Sequence, residues 1–295
     1  MTGALVATSL DCLPRRQAKV RDVYTHGDKV ILVCTDRLPG KSKTNKNTLR
    51  NRGKMLHAFT AFWLRLLETS HAMITDDIKE MIEKHDVPLV FSSPEFRGRT
   101  MLYERVEPVP YKCYVHGYLT GAAWKEYDRD GTVGGQMLPS GLQQSQMLLE
   151  PAFLPFQAQT NGAFVPVSVD VMAKDLGEKV AFDIAQRSVD TYKEAAKHCW
   201  DHGLILADTK FEWATPQDEP VLINEVCTPN CSRYWPTHGY RLGQNIDSFD
   251  EQFVQGWLED SDFPPDGMLP YGVIEAVSEK YKTLYRELTG LDLEV

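Results

Sequence analysis

No run of the sequence approaches the roughly 20 apolar residues of a membrane span, and no basic segment precedes the short apolar stretch in MTGALVATSLDCLPRRQAKV at its start. A soluble, unexported, cytoplasmic protein without membrane partners is therefore expected. Close cysteine pairs are missing too: Cys12, Cys34, Cys113, Cys199, Cys227 and Cys231 are scattered with no CxxC spacing. That argues against a disulfide framework and fits reduced thiols. Positive charge is in deficit, with 32 Lys and Arg against 41 Asp and Glu, a net charge of −9. Such a field repels polyanions, so nucleic acid is disfavoured as a partner and any phosphate site must be local. Internal repeats, low-complexity tracts and long disordered linkers are absent as well.

What is present is a chain of 295 residues, 42% apolar, near the upper end of what one hydrophobic core supports. One compact α+β unit of two lobes is expected. Residues 18–35 (AKVRDVYTHGDKVILVCT) read as two β-runs around a THGD turn. The apolar spacing of Met55, Leu56, Phe59, Phe62, Trp63, Leu66 and Leu67 predicts an amphipathic helix over about 52–68. Residues 99–106 and 111–119 are β-rich and joined by EPVP, which breaks both helix and ladder and marks the lobe hinge. That divides the chain into 1–107 and 108–295. From Met172 onward, Ala181, Ala185, Val189, Tyr192, Ala196 and Cys199 trace one face of a long helix stopped by Gly203. LILADTKFEW and PVLINEV form two β-runs about ATPQDEP, and closing helices are expected over about 249–259 and 271–289.

In DTKFEW, strand alternation puts Asp208, Lys210 and Glu212 on one face, with Thr209 and Phe211 on the other. Carboxylates beside a lysine suit a Mg-nucleotide site: oxygen ligands for the metal, a cation for phosphates. An exposed strand with a solvated charged face is the plain alternative. If the following run pairs as a hairpin, Asn224 converges with Glu212 on one ion, and Arg233 is a chemically reasonable phosphate ligand, aided by neighbouring hydroxyls such as Ser232. The run KSKTNKNTLRNRGK (41–54) carries six Lys and Arg and no acid. It reads as a solvated loop, with a substrate-phosphate lid as its functional reading. Interleaved aromatics for base stacking are missing. His198, Cys199 and His202 lack the remote ligand pair of a zinc site, as do Cys227 and Cys231.

The stretches AKVRDVY, TDR (35–37), AFW (61–63), YLTGAAWKEY (118–127), GLQQSQMLLEP (141–151), ADTKFEW and NEVCTPNCSRYWP together resemble SAICAR synthetase. They stand in family order across about residues 15–260. The resemblance implies a two-lobed fold with an ATP cleft between the lobes, and ATP and Mg as cofactors. The implied small-molecule substrate is a nucleotide, a phosphoribosyl aminoimidazole whose carboxylate is activated as an acyl phosphate before aspartate displaces phosphate. A homo-oligomer is compatible with it. Carried over by position, Lys19, Val20, Arg21 and Asp22 belong to the ATP-phosphate hairpin, with Lys19 on phosphate and Val20 beside adenine. Glu107 falls in the hinge next to adenine, Lys210 on phosphate, and Glu212 and Asn224 on Mg. Asp208, Lys210 and Glu212 form the catalytic set, and Arg37, His116, Ser232 and Arg233 the nucleotide-substrate set.

Departures concentrate on the substrate side. The family's VVRGYLTGS is YVHGYLTGA here, placing His116 and Ala122 where arginine and serine are expected. TDRISAFD becomes TDRLPGKS, and IPGKG becomes LRNRG (49–53). STKAE becomes FQAQT (156–160) and HDENIS becomes AFVPVS (163–168), so Ala158 stands for lysine and Phe164 for aspartate. DEVLTPDSSR becomes NEVCTPNCSR, with Asn224 and Asn230 for two aspartates, which lowers the charge available to Mg. This pattern implies a changed specificity, in which ATP activates an oxygen of a phosphoribosyl imidazole or purine-type nucleotide for attack by a nitrogen, either intramolecular with ring closure or of an amine other than aspartate, as in SAICAR-synthetase-like enzymes of coformycin- and pentostatin-type nucleoside biosynthesis. The alternatives are an ordinary SAICAR synthetase and a catalytically silent nucleotide-binding protein.

Overall fold

The computed structural model describes residues 3–38, 47–250, 253–254 and 268–293. The chain groups into two compact units, residues 1–62, 72–105 and 251–295 in the first and 63–71 and 106–250 in the second. The passage at Arg105–Val106 falls at the start of the Pro-rich EPVP stretch, and residues 251–295 cluster with the first unit.

In the first unit, β1 (Arg15–Gln17), β2 (Arg21–His26), β3 (Lys29–Cys34), β4 (Met73–Thr75) and β5 (Thr100–Glu104) build an antiparallel sheet in the order β1-β2-β3-β5-β4. The β2–β3 hairpin turns at Gly27, whose φ of 59° costs glycine no steric penalty. Tyr24, Ile31, Val33 and Leu102 pack with Met81, Phe91 and Phe96 into one core, with the Phe91 and Phe96 rings 4.9 Å apart. The predicted amphipathic helix is α1 (Arg52–Leu66). Helix α2 (Ile78–His85) starts at Asp77, whose carboxylate accepts from Lys79 N at 2.7 Å.

The second unit is a mixed-order antiparallel sheet. Its strands are β6 (Tyr111–Tyr118), β9 (Met147–Ala158), β10 (Phe164–Pro166), β11 (Leu204–Ala214), β12 (Val221–Ile223) and β13 (Ser232–Pro236), and a separate small hairpin is formed by β7 (Thr132–Val133) and β8 (Gln136–Met137). The order is β10-β9-β6-β11-β12, with β13 also pairing β11. Helix α3 (Gly121–Asp130) follows β6, and α4 (Val169–Leu176) and α5 (Glu178–Asp201) precede β11. The single helix expected from Met172 is thus two: Gly177, at φ 88°, ends α4 and precedes α5. Gly203 adopts φ 75° after α5, as its predicted stop role requires.

Helix α5 covers one sheet face. Tyr192 Oη donates to Leu206 O at 2.6 Å and Trp213 Nε1 to Ser188 Oγ at 2.9 Å. Gly117 is obligatory there, because a Cβ would lie 1.9 Å from Tyr192 Oη. The charged side chains of β11 are left to the other face.

The chain ends in α6 (Tyr271–Thr289), the second of the two closing helices expected. Of the other, expected over about 249–259, Phe249 and Asp250 are described and not helical, Phe253 and Val254 are helical, and the rest lies outside the described residues. Residues 41–46 of the basic run lie outside the described residues. Among those described, no helix is long and apolar enough to cross a membrane.

Candidate active site

Register on the open face of the second unit's sheet brings the predicted residues together. Lys210 of β11 lies opposite Tyr114 of β6, and Asp208 lies opposite both His116 of β6 and Arg233 of β13. Lys210 Nζ donates to Glu212 Oε1 at 2.9 Å and stands 4.0 Å from Glu225 Oε1. Burial works to lower the lysine's pKa, but the Glu212 and Glu225 carboxylates outweigh it and keep the ammonium charged. Asn224 Nδ2 donates to Glu212 Oε2 at 2.5 Å, and Asn230 Nδ2 to Glu225 Oε1 at 2.6 Å.

One lysine against two glutamates leaves this cluster with one net negative charge, with Glu212 still partly exposed. Among the described residues, no group of three His, Cys, Asp or Glu is gathered to hold a metal. The donors nonetheless fit a Mg ion that takes most of its oxygens from water and phosphate, as Mg in phosphoryl-transfer sites does. Glu212 would supply the charged ligand. Asn224 currently offers its N–H to that carboxylate, and a half-turn of the amide presents its oxygen instead.

Asp208 sits apart from this cluster. Its Oδ2 accepts from Arg233 Nη1 and lies 3.4 Å from His116 Nδ1. Burial would raise its pKa, but Arg233 and His116 outweigh burial and hold the carboxyl below its ordinary range. Arg233 in turn lies on the bare Cα of Gly121, where a Cβ would come within 2.4 Å of Nη1. Gly121 opens α3, and Thr120 provides no side-chain cap. A guanidinium beside uncapped first-turn N–H groups is an anion-binding arrangement. His116 is 1% exposed, and among the described residues neither ring nitrogen makes a well-formed hydrogen bond, the 3.4 Å approach of Nδ1 to Asp208 being its polar contact.

Other expected residues have different surroundings. Ser232 is on the α5 side, sharing a 2.7 Å hydrogen bond with Thr209 Oγ1. Asp22 is fully buried, accepting from Thr8 N at 2.7 Å, Thr8 Oγ1 at 2.8 Å and Arg37 Nη2 at 3.0 Å. Arg37 is a brace: it donates to the carbonyls of Lys19 (3.0 Å), Ala18 (2.8 Å) and Arg21 (2.9 Å), and to that of Val6. Asp22 is withdrawn from the surface, and Arg37 is partly exposed with its guanidinium committed to this loop. The loop they hold leaves Lys19 exposed and Val20 half-buried, followed by buried Arg21. Glu107, in the second unit, is exposed beside Pro108, which bridges to Ala214.

Sequence reasoning gave no site role to three contributors: Glu225, which reads there only as part of the acidic-polar run that starts at Asn224, Gly121 and Tyr114. Glu225 follows Asn224, and strict alternation would send the two to opposite faces. Asn224 instead takes φ 62° just beyond β12, a left-handed conformation asparagine tolerates. That turn lets both neighbours meet the Lys210–Glu212 pair.

The family model described as SAICAR synthetase matches residues 15–266. The phosphoribosylaminoimidazole-succinocarboxamide synthase of Rhodopirellula baltica is 35% identical over 312 residues, covering 98% of this chain and 96% of that protein. The Bordetella pertussis protein of the same name is 37% identical, with 96% and 97% covered. Among solved structures, the SAICAR synthase of Saccharomyces cerevisiae complexed with SAICAR superposes with a TM-score of 0.85 at 30% identity, covering 99% of this chain and 100% of that one. A type-2 SAICAR synthetase in complex with ADP shares the fold, at a TM-score of 0.70 and 16% identity over 96% of this chain and 100% of that one. The α+β architecture is the SAICAR-synthetase fold, and the chain belongs to the SAICAR synthetase family of ATP-dependent carbon–nitrogen ligases.

Proposed function

We propose that this protein carries out the SAICAR synthetase reaction, joining the amino group of aspartate to the carboxylate of carboxyaminoimidazole ribonucleotide at the expense of ATP. The supporting observation is the Lys210–Glu212–Glu225 cluster on the same open sheet face as the Asp208–Arg233 pair. One end suits phosphoryl transfer and the other an anionic substrate group. ATP with Mg supplies the phosphoryl group and neutralises its charge when bound. The substrate carboxylate oxygen forms an O–P bond as ADP leaves. The amine then forms a C–N bond with the acyl carbon, the C–O bond to phosphate breaks, and the nitrogen loses a proton.

In this reading Lys210 holds a phosphate oxygen, Glu212 with Asn224 holds Mg, and Arg233 with the N-terminus of α3 holds the nucleotide's phosphate. Asp208 orients Arg233, with His116 packed behind it. The exposed loop of the first unit, with Lys19 and Val20, keeps its expected role toward ATP. Incubation with the nucleotide, ATP, Mg and aspartate is expected to give a succinyl-carboxamide product by mass. ADP release without that product would refute aspartate as the nucleophile while sparing the activation step.

One observation favours a second reading, a different amine as in specialised nucleoside biosynthesis. Residues 156–166 contain no charged side chain, and Phe164, where the family resemblance expects aspartate, lies under the Lys112 ammonium at 4.1 Å from its ring centroid. An amine scan in the same assay separates the two.

A further inference from the structure

His116 is a buried polar side chain to which the reaction gives no task. It stands on β6 opposite Asp208 of β11 and Ala152 of β9. Its ring is 1% exposed, and among the described residues its polar approach is Nδ1 to Asp208 Oδ2 at 3.4 Å, which leaves Nε2 buried without a hydrogen bond. The same carboxylate oxygen accepts from Arg233 Nη1, and Arg233 lies against Gly121 at the uncapped start of α3. Imidazole, carboxylate, guanidinium and helix N-terminus thus form one line of contacts. A buried polar atom left unpaired is costly, and an anion bound at the far end of that line can relieve the cost by charging the ring.

The charges around the ring decide this. Asp208 and Arg233 cancel, so the line is neutral while the imidazole is neutral. A phosphate dianion on Arg233 adds two negative charges there, and an added negative charge favours the protonated imidazole. The other groups facing His116 are fixed in charge near neutral pH. Burial makes the phenols of Tyr114 and Tyr118, and of Tyr192 from α5 behind the sheet, hold their protons more tightly than usual. Lys210, farther along β11, is already charged. Asp250, whose charge reaches Arg233, accepts from Tyr234 N at 2.9 Å. β9 presents Ala152, and the first turn of α3, Gly121 to Trp124, carries no titratable side chain.

We infer that the nucleotide's phosphate binds together with a proton taken up by His116, which makes this histidine a positioning residue that tunes nucleotide affinity with pH. The inference rests on the reading above that places the phosphate at Arg233, and it adds regulation of that same site. Affinity is greatest with the ring protonated and falls as pH rises through the titration of the bound complex.

The test is calorimetric titration of the full-length protein with carboxyaminoimidazole ribonucleotide between pH 7 and pH 9. Over that range a phosphate monoester, with a second pKa of about 6, is already a dianion. The dissociation constant is expected to rise about tenfold across the range, the scale set by an opposite charge beside an imidazole. Repeating the titration at pH 7.5 in two buffers of different ionisation enthalpy should show net proton uptake by the wild type. A phosphate losing its last proton to cationic neighbours would give release, the opposite sign. His116→Asn keeps an N–H beside Asp208 but cannot charge. Its dissociation constant should match the wild type at pH 9, vary less than twofold down to pH 7, and show no proton uptake. A merely structural role would instead raise the constant equally at every pH. A pH-independent wild-type constant, absent proton uptake, or a slope retained in His116→Asn each overturns the inference. Succinyl-carboxamide product from an enzyme whose nucleotide affinity ignores pH rejects the proton linkage and keeps the reaction. Proton-linked binding without that product keeps the linkage and rejects the reaction, and no nucleotide binding at all overturns both.

Discussion

Arg37 and Arg233 each face a buried aspartate, yet one pair is closed and the other open. Arg37, in the first unit, spends its guanidinium on Asp22 and on the carbonyls of Val6, Ala18, Lys19 and Arg21. Arg233, in the second, gives Nη1 to Asp208, and its guanidinium lies across a glycine at a helix N-terminus. A saturated guanidinium fixes backbone, whereas one with donors to spare can take an anion. The same residue types in family motifs therefore do different work, and only the partner count tells them apart.

The largest effect that bears on this contrast is expected at Lys210. Removing its ammonium leaves Glu212 and Glu225 facing each other without compensation, a loss of about 3–5 kcal/mol for a broken buried pair. Lys210→Ala should lower the melting temperature and abolish measurable ATP binding in calorimetry. Retention of wild-type ATP affinity would remove Lys210 from the phosphate site.

The closed and open pairs are separated next by Arg→Lys at each. Lysine cannot reproduce a planar fork. Arg37→Lys should cost about 1–3 kcal/mol of stability through its lost carbonyl bonds and raise KM for ATP, because the Lys19 loop slackens. Arg233→Lys should leave stability nearly intact and raise KM for the nucleotide about tenfold. If the two variants give the same pattern, the distinction between brace and ligand fails.

How much of this was legible beforehand depended on range. The 21–34 hairpin, α1 and the β11–β12 pair follow from local periodicity and turn chemistry, and the alternation of DTKFEW put Lys210 and Glu212 on one face. The break at Gly177 was hidden, because a lone glycine is tolerated inside a helical pattern. Arg37 and Asp22 read as ligand-binding residues because their partners, Val6 and Thr8, are distant in sequence and carry no motif. Glu225 was obscured by a single left-handed residue, Asn224.

That residue offers a smaller test. Asp tolerates the same left-handed backbone as Asn, so Asn224→Asp should fold and add a second carboxylate beside Glu212. Mg should then support ATP binding at a lower concentration, since ligand charge tunes divalent affinity. An unchanged Mg requirement would place Asn224 away from the ion. The smallest effect is expected for Ser232→Ala: about 1 kcal/mol from the lost Thr209 bond, with KM for the nucleotide unaltered. A several-fold rise in that KM would return Ser232 to the substrate.

Carboxylate activation is tested most directly by isotope transfer. With both carboxylate oxygens of the nucleotide labelled with oxygen-18, a complete turnover with ATP, Mg and the accepted amine should deliver one labelled oxygen to inorganic phosphate, read by mass spectrometry. Product formation with unlabelled phosphate would contradict an acyl phosphate and the function built on it.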